Sequence, residues 1–366
     1  MDLTVIITTS PIRSHPSTSL LESVLSTFHY AGPEFCACPL LIVADGYRAK
    51  AVQEEGEVRR KYDGDKAAMR SGYVTDEQRD NYEEFKRRLS SYIDAGTAPF
   101  QNASLLALES RQGYGFALKA ALGVVRTKFV CVVQHDRVFM RKTPMDELVR
   151  SMEADEAIKY AGVLMRSNLH YVDIFIGKYG VKMLDEYRRL SKRPPELAVP
   201  AADYGNGAVA DELCARYPKC DVKYRQLREN YLKSQPYNKH YLHDHNASGE
   251  GSTNVTLLPT AFWYDNIHVV RTEHYRDFIF DPAKKLVAKG GFVEDKLSPA
   301  IMSAIKEEGM EQGWGRYGCF LLDDHAGVAF TGHLDGGSYL TDEERAKSQQ
   351  KWDSMNERVG ALKLET

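Results

Sequence analysis

The run LTVIITT at residues 3–9 decides the fold. It is apolar, rich in β-branched residues, and stops at Ser10 and Pro11, which together break a strand. Helix signals follow at once. Ser17 or Ser19 can cap, Glu22 completes a capping box with Ser19, and Leu20, Leu21, Val24, Leu25 and Phe28 form one apolar stripe. PLLIVA at residues 39–44 then reads as a second buried strand, ending in Asp45 and Gly46. Continuous apolar strands flanking a helix predict a parallel βαβ unit covered on both faces, and so an α/β protein.

The same pattern extends along the chain. Residues 49–100 change character: rich in Glu, Lys, Arg and Asp, they read as a helical, solvated insertion between strands. SLLALE (104–109) is the next strand, followed by RQGYGFALK (111–119) and a helix through Val125. KFVCVVQ (128–134) is a strongly buried strand with His135, Asp136 and Arg137 at its carboxyl end, and residues 160–165 form another. Residues 193–196 and 234–254 read as long loops. No internal repeat interrupts this reading, which takes 1–340 as one domain and 341–366 as a helical tail.

Composition narrows the function. A chain of 366 residues, 43% hydrophobic and 27% charged, can build a sizeable core. Lys plus Arg at 48 against Asp plus Glu at 51 gives a net charge of −3, unsuited to a nucleic-acid-backbone binder. The longest apolar runs, 40–44 and 129–133, fall far short of the roughly 20 residues that span a bilayer. With no basic segment before an apolar one at the start, the expectation is a soluble cytoplasmic protein, with peripheral membrane association left open. Cys36, Cys38, Cys131, Cys214, Cys220 and Cys319 form no CxxC pair and read as free thiols.

In open α/β sheets ligands bind beyond the carboxyl ends of the strands. That rule selects Thr8, Thr9 and Ser10, then Asp45, then the segment from Arg111 to Lys119, then Gln134, His135 and Asp136. Asp45 can accept from a ribose or a base edge, or simply close a turn. Gly113 and Gly115 allow close backbone approach before a helix whose first N–H groups can face a phosphate. Leu118 occupies the third glycine position of a dinucleotide fingerprint, which disfavours a nicotinamide-dependent enzyme. Asp136 ends a hydrophobic strand, where a carboxylate needs a positive partner: a hard divalent cation, or an ion pair with Arg137 or a lysine. Later in the chain, Glu294 and Asp295 precede a helix expected over 298–308, as functional acids or as a cap. His333 sits in a glycine-rich loop after a short apolar strand, and the aromatic run 262–268 suits either a sugar face or a core strand.

Taken in order, these pieces resemble the GT-A glycosyltransferases, most closely the family-2-like inverting enzymes. The first strand and its turn (5–11), the acid Asp45, the loop 113–119, the metal motif at 134–136, the later acid pair 294–295 and the metal-binding His333 match that family's parts. The departure is Gln134, which stands where the family carries the first acid of its DxD, leaving Asp136 to supply the carboxylate. The resemblance implies a GT-A, Rossmann-like fold, with a mostly parallel sheet flanked by helices and an acceptor-side C-terminal half. It further implies a nucleotide-sugar donor, UDP- or GDP-linked, and a glycan or other hydroxyl acceptor. Mn²⁺ or Mg²⁺ would sit on Asp136 and His333, with Asp295 as base and Glu294 as its fallback. Thr8, Thr9, Ser10, Asp45, Arg111, Gly113, Gly115, Lys119, Gln134 and His135 would surround the donor. Residues 234–254, with His240, His243, Asp244 and His245, can form a lid over the donor; His243, Asp244 and His245 can alternatively bind a metal, although their loop-like surroundings favour a surface cluster. A sugar-1-phosphate nucleotidyltransferase is the nearest rival, although it should carry glycines where Ser10 to Ser14 stand. A non-catalytic nucleotide-sugar or glycan-binding protein is the other.

Overall fold

The computed structural model describes residues 1–49, 72–169, 171–200, 252–288, 290–325 and 329–334. The strands run β1 (Leu3–Thr9), β2 (Leu40–Ala44), β3 (Arg48–Ala49), β4 (Tyr73–Val74), β5 (Ala103–Ala107), β6 (Phe129–Gln134) and β7 (Arg137–Phe139) in the first half. They continue as β8 (Tyr160–Val163), β9 (Ala198–Pro200), β10 (Ser252–Asn254), β11 (Thr256–Pro259), β12 (His268–Arg271), β13 (Cys319–Asp323) and β14 (Thr331–His333). The helices that matter below are α1 (Ser19–Leu25), α2 (Asp76–Asp94), α3 (Tyr114–Val124) and α4 (Glu294–Gly309).

Eight strands form the main sheet in the order β11-β13-β8-β12-β6-β1-β2-β5. Every residue of β1 is buried, so its backbone groups must be paired on both edges. It runs parallel to β2 (Thr9 opposite Ala44) and to β6 (Thr8 opposite Gln134). β2 runs parallel to β5, and β13 to β8. β12 lies antiparallel between β6 and β8, and β11 antiparallel to β13. This is the mostly parallel, helix-flanked α/β architecture that the sequence implies. Six strands therefore end along one edge of the sheet, the edge where ligands are expected.

Several local expectations are corrected. α1 takes Thr18, not Ser17 or Ser19, as N-cap, and Thr18 Oγ1 donates to Glu22 Oε1 at 2.5 Å in place of the expected capping box. β5 begins one residue early and ends at Ala107. In the described part of the polar insertion, α2 opens on a capping box between Thr75 and Gln78 and buries Tyr82, Phe85 and Leu89. It is not purely peripheral, because the Tyr82 hydroxyl donates to the carbonyl of Asp45 at 2.8 Å. Ser252–Asn254, read as loop, pairs antiparallel with Ala198–Pro200. The remainder of 234–254, with His240, His243, Asp244 and His245, lies outside the described residues, as do Cys214, Cys220 and the tail 341–366. Cys36, Cys38, Cys131 and Cys319 are free thiols. Among the described residues, no helix is long and apolar enough to cross a membrane.

β7 continues from β6 and pairs antiparallel with β14, which sets His333 opposite Arg137. Just beyond β7, Arg141 makes a bidentate pair with Asp324 at 2.6 and 2.9 Å, and its guanidinium lies 3.6 Å from the centre of the Phe330 ring. Both partners are buried. The pair pins the hairpin that carries His333 to the end of β13. Arg141→Met should cost about 3–5 kcal/mol, because it strands a buried charge on Asp324. Chemical denaturation should show that loss, and the double variant Arg141→Met/Asp324→Leu should recover most of it.

Candidate active site

The parallel register of β1 and β6 brings their ends together. The His135 N–H donates to the Thr8 carbonyl at 3.1 Å, and His135 Nδ1 lies 2.9 Å from Thr9 Oγ1. Thr8 and Thr9 are buried and Ser10 is half-buried beyond them. Burial, above all, pushes the His135 imidazole below its ordinary range.

Asp136 follows, 6% exposed. Oδ2 of its carboxylate lies 2.9 Å from Nε2 of His333, 197 residues later, and its carbonyl accepts from the Leu334 N–H at 2.7 Å. Burial opposes ionisation of Asp136. The hydrogen bond from His333, with the neighbouring His135 and Arg137 side chains, outweighs it and holds the carboxyl well below the usual range. The sequence-predicted metal pair thus converges from β6 and β14. Among the described residues, no cluster of three or more His, Cys, Asp or Glu side chains is arranged to hold a metal.

Asp45 is 3% exposed and heavily engaged. Its two oxygens accept the backbone N–H groups of Gln112 and Gly113 at 2.8 and 2.9 Å, and Arg111 pairs with the same carboxylate. Asp45 and Arg111, both expected on the donor, here hold the 111–113 loop. Gly113, at φ +80°, forms a bridge with Gly290, and the Gly115 N–H donates to the Gly291 carbonyl at 3.0 Å. A Cβ at Gly113 would collide with the Gly290 backbone. The close approach that these glycines permit is therefore made by the 290–291 segment. Lys119 stands exposed on α3, 5.9 Å from the centre of the Phe116 ring.

That segment leads into α4, which starts at Glu294 rather than Ser298. Glu294 and Asp295 are its first two residues, not a preceding turn. Pro299 is the sixth residue of this helix, past the first turn, so its missing N–H forfeits the bond that would otherwise go to the Asp295 carbonyl. The two acids part company there. Glu294 is half-buried and forms a reciprocal pair with Asp265. Its Oε2 accepts the Asp265 N–H at 2.9 Å, while its own N–H donates to Asp265 Oδ2 at 3.0 Å. Asp295 is exposed, and a Cβ on Gly291 would lie 3.7 Å from its Oδ2.

Asp265 was missed by sequence reasoning. It lies within the aromatic run 262–268, whose Trp263 is fully buried and so closed to sugar stacking. Its Oδ1 accepts from Trp263 Nε1 at 3.2 Å, and its carbonyl accepts from Gln134 Nε2 at 2.6 Å. An acid amid aromatic residues was the available signal, because burying such a group requires dedicated donors.

No protein-family model matches the sequence, and no curated protein matches it. Solved structures similar to the chain include TarS from S. aureus, at 14% identity over 45% of this chain and 22% of that one (TM-score 0.27). A second is the mannosyltransferase PcManGT from Pyrobaculum calidifontis, solved with GDP-Man and Mn²⁺, at 16% identity over 45% of this chain and 36% of that one (TM-score 0.26). A third is glucosyl-3-phosphoglycerate synthase from Mycobacterium tuberculosis, solved with Mn²⁺, UDP and glucosyl-3-phosphoglycerate, at 13% identity over 98% of this chain and 80% of that one (TM-score 0.32). The chain spans 22% and 36% of the lengths of the first two.

Burial, reinforced by the charge of Glu294 and opposed by its hydrogen bonds, pushes the Asp265 carboxyl up to about 8. The folded chain then holds a proton that the unfolded chain, titrating near 3.8, has released. This contribution to stability is complete below pH 4 and is lost as pH rises through about 8. In Asp265→Asn it is absent. The melting temperature of the wild type relative to this variant should fall by several degrees between pH 4 and 8.5, as scanning calorimetry at both ends would show.

Proposed function

We propose that the chain is a glycosyltransferase that moves a sugar from a UDP- or GDP-linked donor to an acceptor hydroxyl with inversion. The observation that carries this reading is the convergence of Asp136 and His333 at the carboxyl edge of the sheet, beside the ends of β1 and β6. Their donor atoms, one carboxylate oxygen and one imidazole nitrogen 2.9 Å apart, suit adjacent positions around a six-coordinate ion. Ligands at ~2.1 Å in such a shell stand about 3.0 Å from one another. Mn²⁺ and Mg²⁺ accept oxygen donors and are commonly held by one or two protein groups plus substrate phosphates. The residues present therefore fit such an ion, which would offset the charge of a departing diphosphate.

The rest is done by the chain itself. Thr8, Thr9, Ser10 and His135 line the end of β1 against β6, where the nucleotide would lie. Asp45 and Arg111 act by fixing the backbone of residues 111–113 rather than by reaching outward. Asp295, exposed at the start of α4, accepts the proton of the acceptor hydroxyl as that oxygen attacks the anomeric carbon and the nucleoside diphosphate leaves. Glu294, locked against Asp265, is poorly placed to share that task.

Two measurements test this. Turnover of a panel of UDP- and GDP-sugars with Mn²⁺ should be lost in Asp136→Ala and strongly reduced in His333→Ala, and calorimetry should show weakened Mn²⁺-dependent binding of UDP or GDP in both. Unchanged binding in both would remove the pair from the site. Asp295→Asn should keep donor binding while kcat falls ~10²–10⁴-fold, and near-normal transfer by that variant would place the base elsewhere.

A further inference from the structure

Gln134 stands where a second carboxylate would be expected beside Asp136, and its surroundings show what it does instead. Its side-chain Nε2 donates to the carbonyl of Asp265 at 2.6 Å. That partner is an obligate acceptor, so the contacting atom of residue 134 has to be a donor. A carboxylate in the same place would set oxygen against oxygen in a half-buried position.

The bond is one of several that meet on Asp265. Its N–H is taken by Glu294 Oε2 at 2.9 Å, and its side chain accepts both the Glu294 N–H at 3.0 Å and the Trp263 indole N–H at 3.2 Å. Asp265 itself is 3% exposed, so these groups have little access to water as an alternative. The chain of contacts runs from the last residue of β6, through Asp265, to the first residue of α4. Asp136 lies two residues beyond one end, and Asp295 lies one residue beyond the other.

We propose that Gln134 is a positioning residue, a neutral strut that sets the separation between Asp136 on the β6 side and Asp295 on α4, and not a weakened metal ligand. The inference rests on the glycosyltransferase reading for its catalytic consequence, but the strut is a property of the fold and is measurable without turnover. It reverses the usual expectation for this position: an acid at residue 134 damages the site.

The test compares Gln134→Glu, which keeps the length and reverses the hydrogen-bond character, with Gln134→Met, which keeps the volume and removes the donor. Hydrogen exchange on the full chain should show the backbone amides of Asp265 and Glu294 exchanging about fivefold faster or more in both variants, the amount expected for losing one net hydrogen bond. With Mn²⁺ as the probe, calorimetric affinity should match the wild type in both. Where transfer is measurable, kcat should fall by roughly 10²-fold with donor KM unchanged, as for a misplaced but intact catalytic group. Tighter Mn²⁺ binding by Gln134→Glu with kcat kept would make residue 134 a metal ligand and overturn the proposal. Unchanged exchange at Asp265 and Glu294 in Gln134→Met would overturn it as well. A wild-type chain that turns over no nucleotide sugar would sink the enzymatic reading, and the exchange measurement would still decide the strut.

Discussion

A strand buried on both faces has no water to turn to, so each N–H and C=O along both of its edges needs a partner in the chain. β1 is in that position from Leu3 to Thr9, and its parallel pairing with β2 and β6 is what the rest of the molecule hangs on. Parallel pairing makes neighbouring strands finish on the same side. Thr8 is thereby set beside Gln134 and Thr9 beside Ala44, so the polar residues that follow each strand crowd into one crevice. The location of the site is a by-product of satisfying backbone hydrogen bonds in an apolar layer.

Within that crevice few polar groups are idle. Asp45 spends its oxygens on two backbone amides and Arg111, and Glu294 is closed onto Asp265. Such pairing is what burial demands, since an uncompensated carboxylate is far more costly than a bonded one. It also sorts the charged residues by role: engaged acids shape the backbone around the crevice, whereas Asp295 remains exposed at the helix start.

Much of this was legible in the sequence because the signals were local. β-branched runs bounded by breakers marked β1, β2 and β6, and polar residues just after those runs marked the crevice. What could not be read was which polar side chains consume one another. The pairing of Asp45 with residues 111–113 spans 67 positions in the case of Gln112, and that of Arg141 with Asp324 spans 183. Neither spacing leaves a periodic trace. The start of α4 was expected at Ser298, four residues late, and Pro299 lies inside the helix although its missing N–H costs an internal hydrogen bond. Asp265 was hidden by its aromatic neighbours, which read equally as a sugar face or a core strand; the buried Trp263 bears out the core reading and leaves Asp265 dependent on its hydrogen bonds.

The antiparallel insertion of β12 between β6 and β8 bears on how the chain is made. β5, β2, β1 and β6 come from residues 3–134 and form a contiguous parallel block. The strand that covers the open edge of β6 is drawn from residues 268–271, well over a hundred positions downstream. During synthesis the block can assemble early, with loop closures that are short relative to those that follow. Until β12 arrives, β6 presents a hydrophobic row of unpaired backbone groups, the kind of edge on which chains stick to one another. Delivery of β12 ends that hazard and, through Asp265 close upstream, brings the first turn of α4 to the crevice. Covering the β6 edge and anchoring the first turn of α4 beside it thus depend on the same downstream segment.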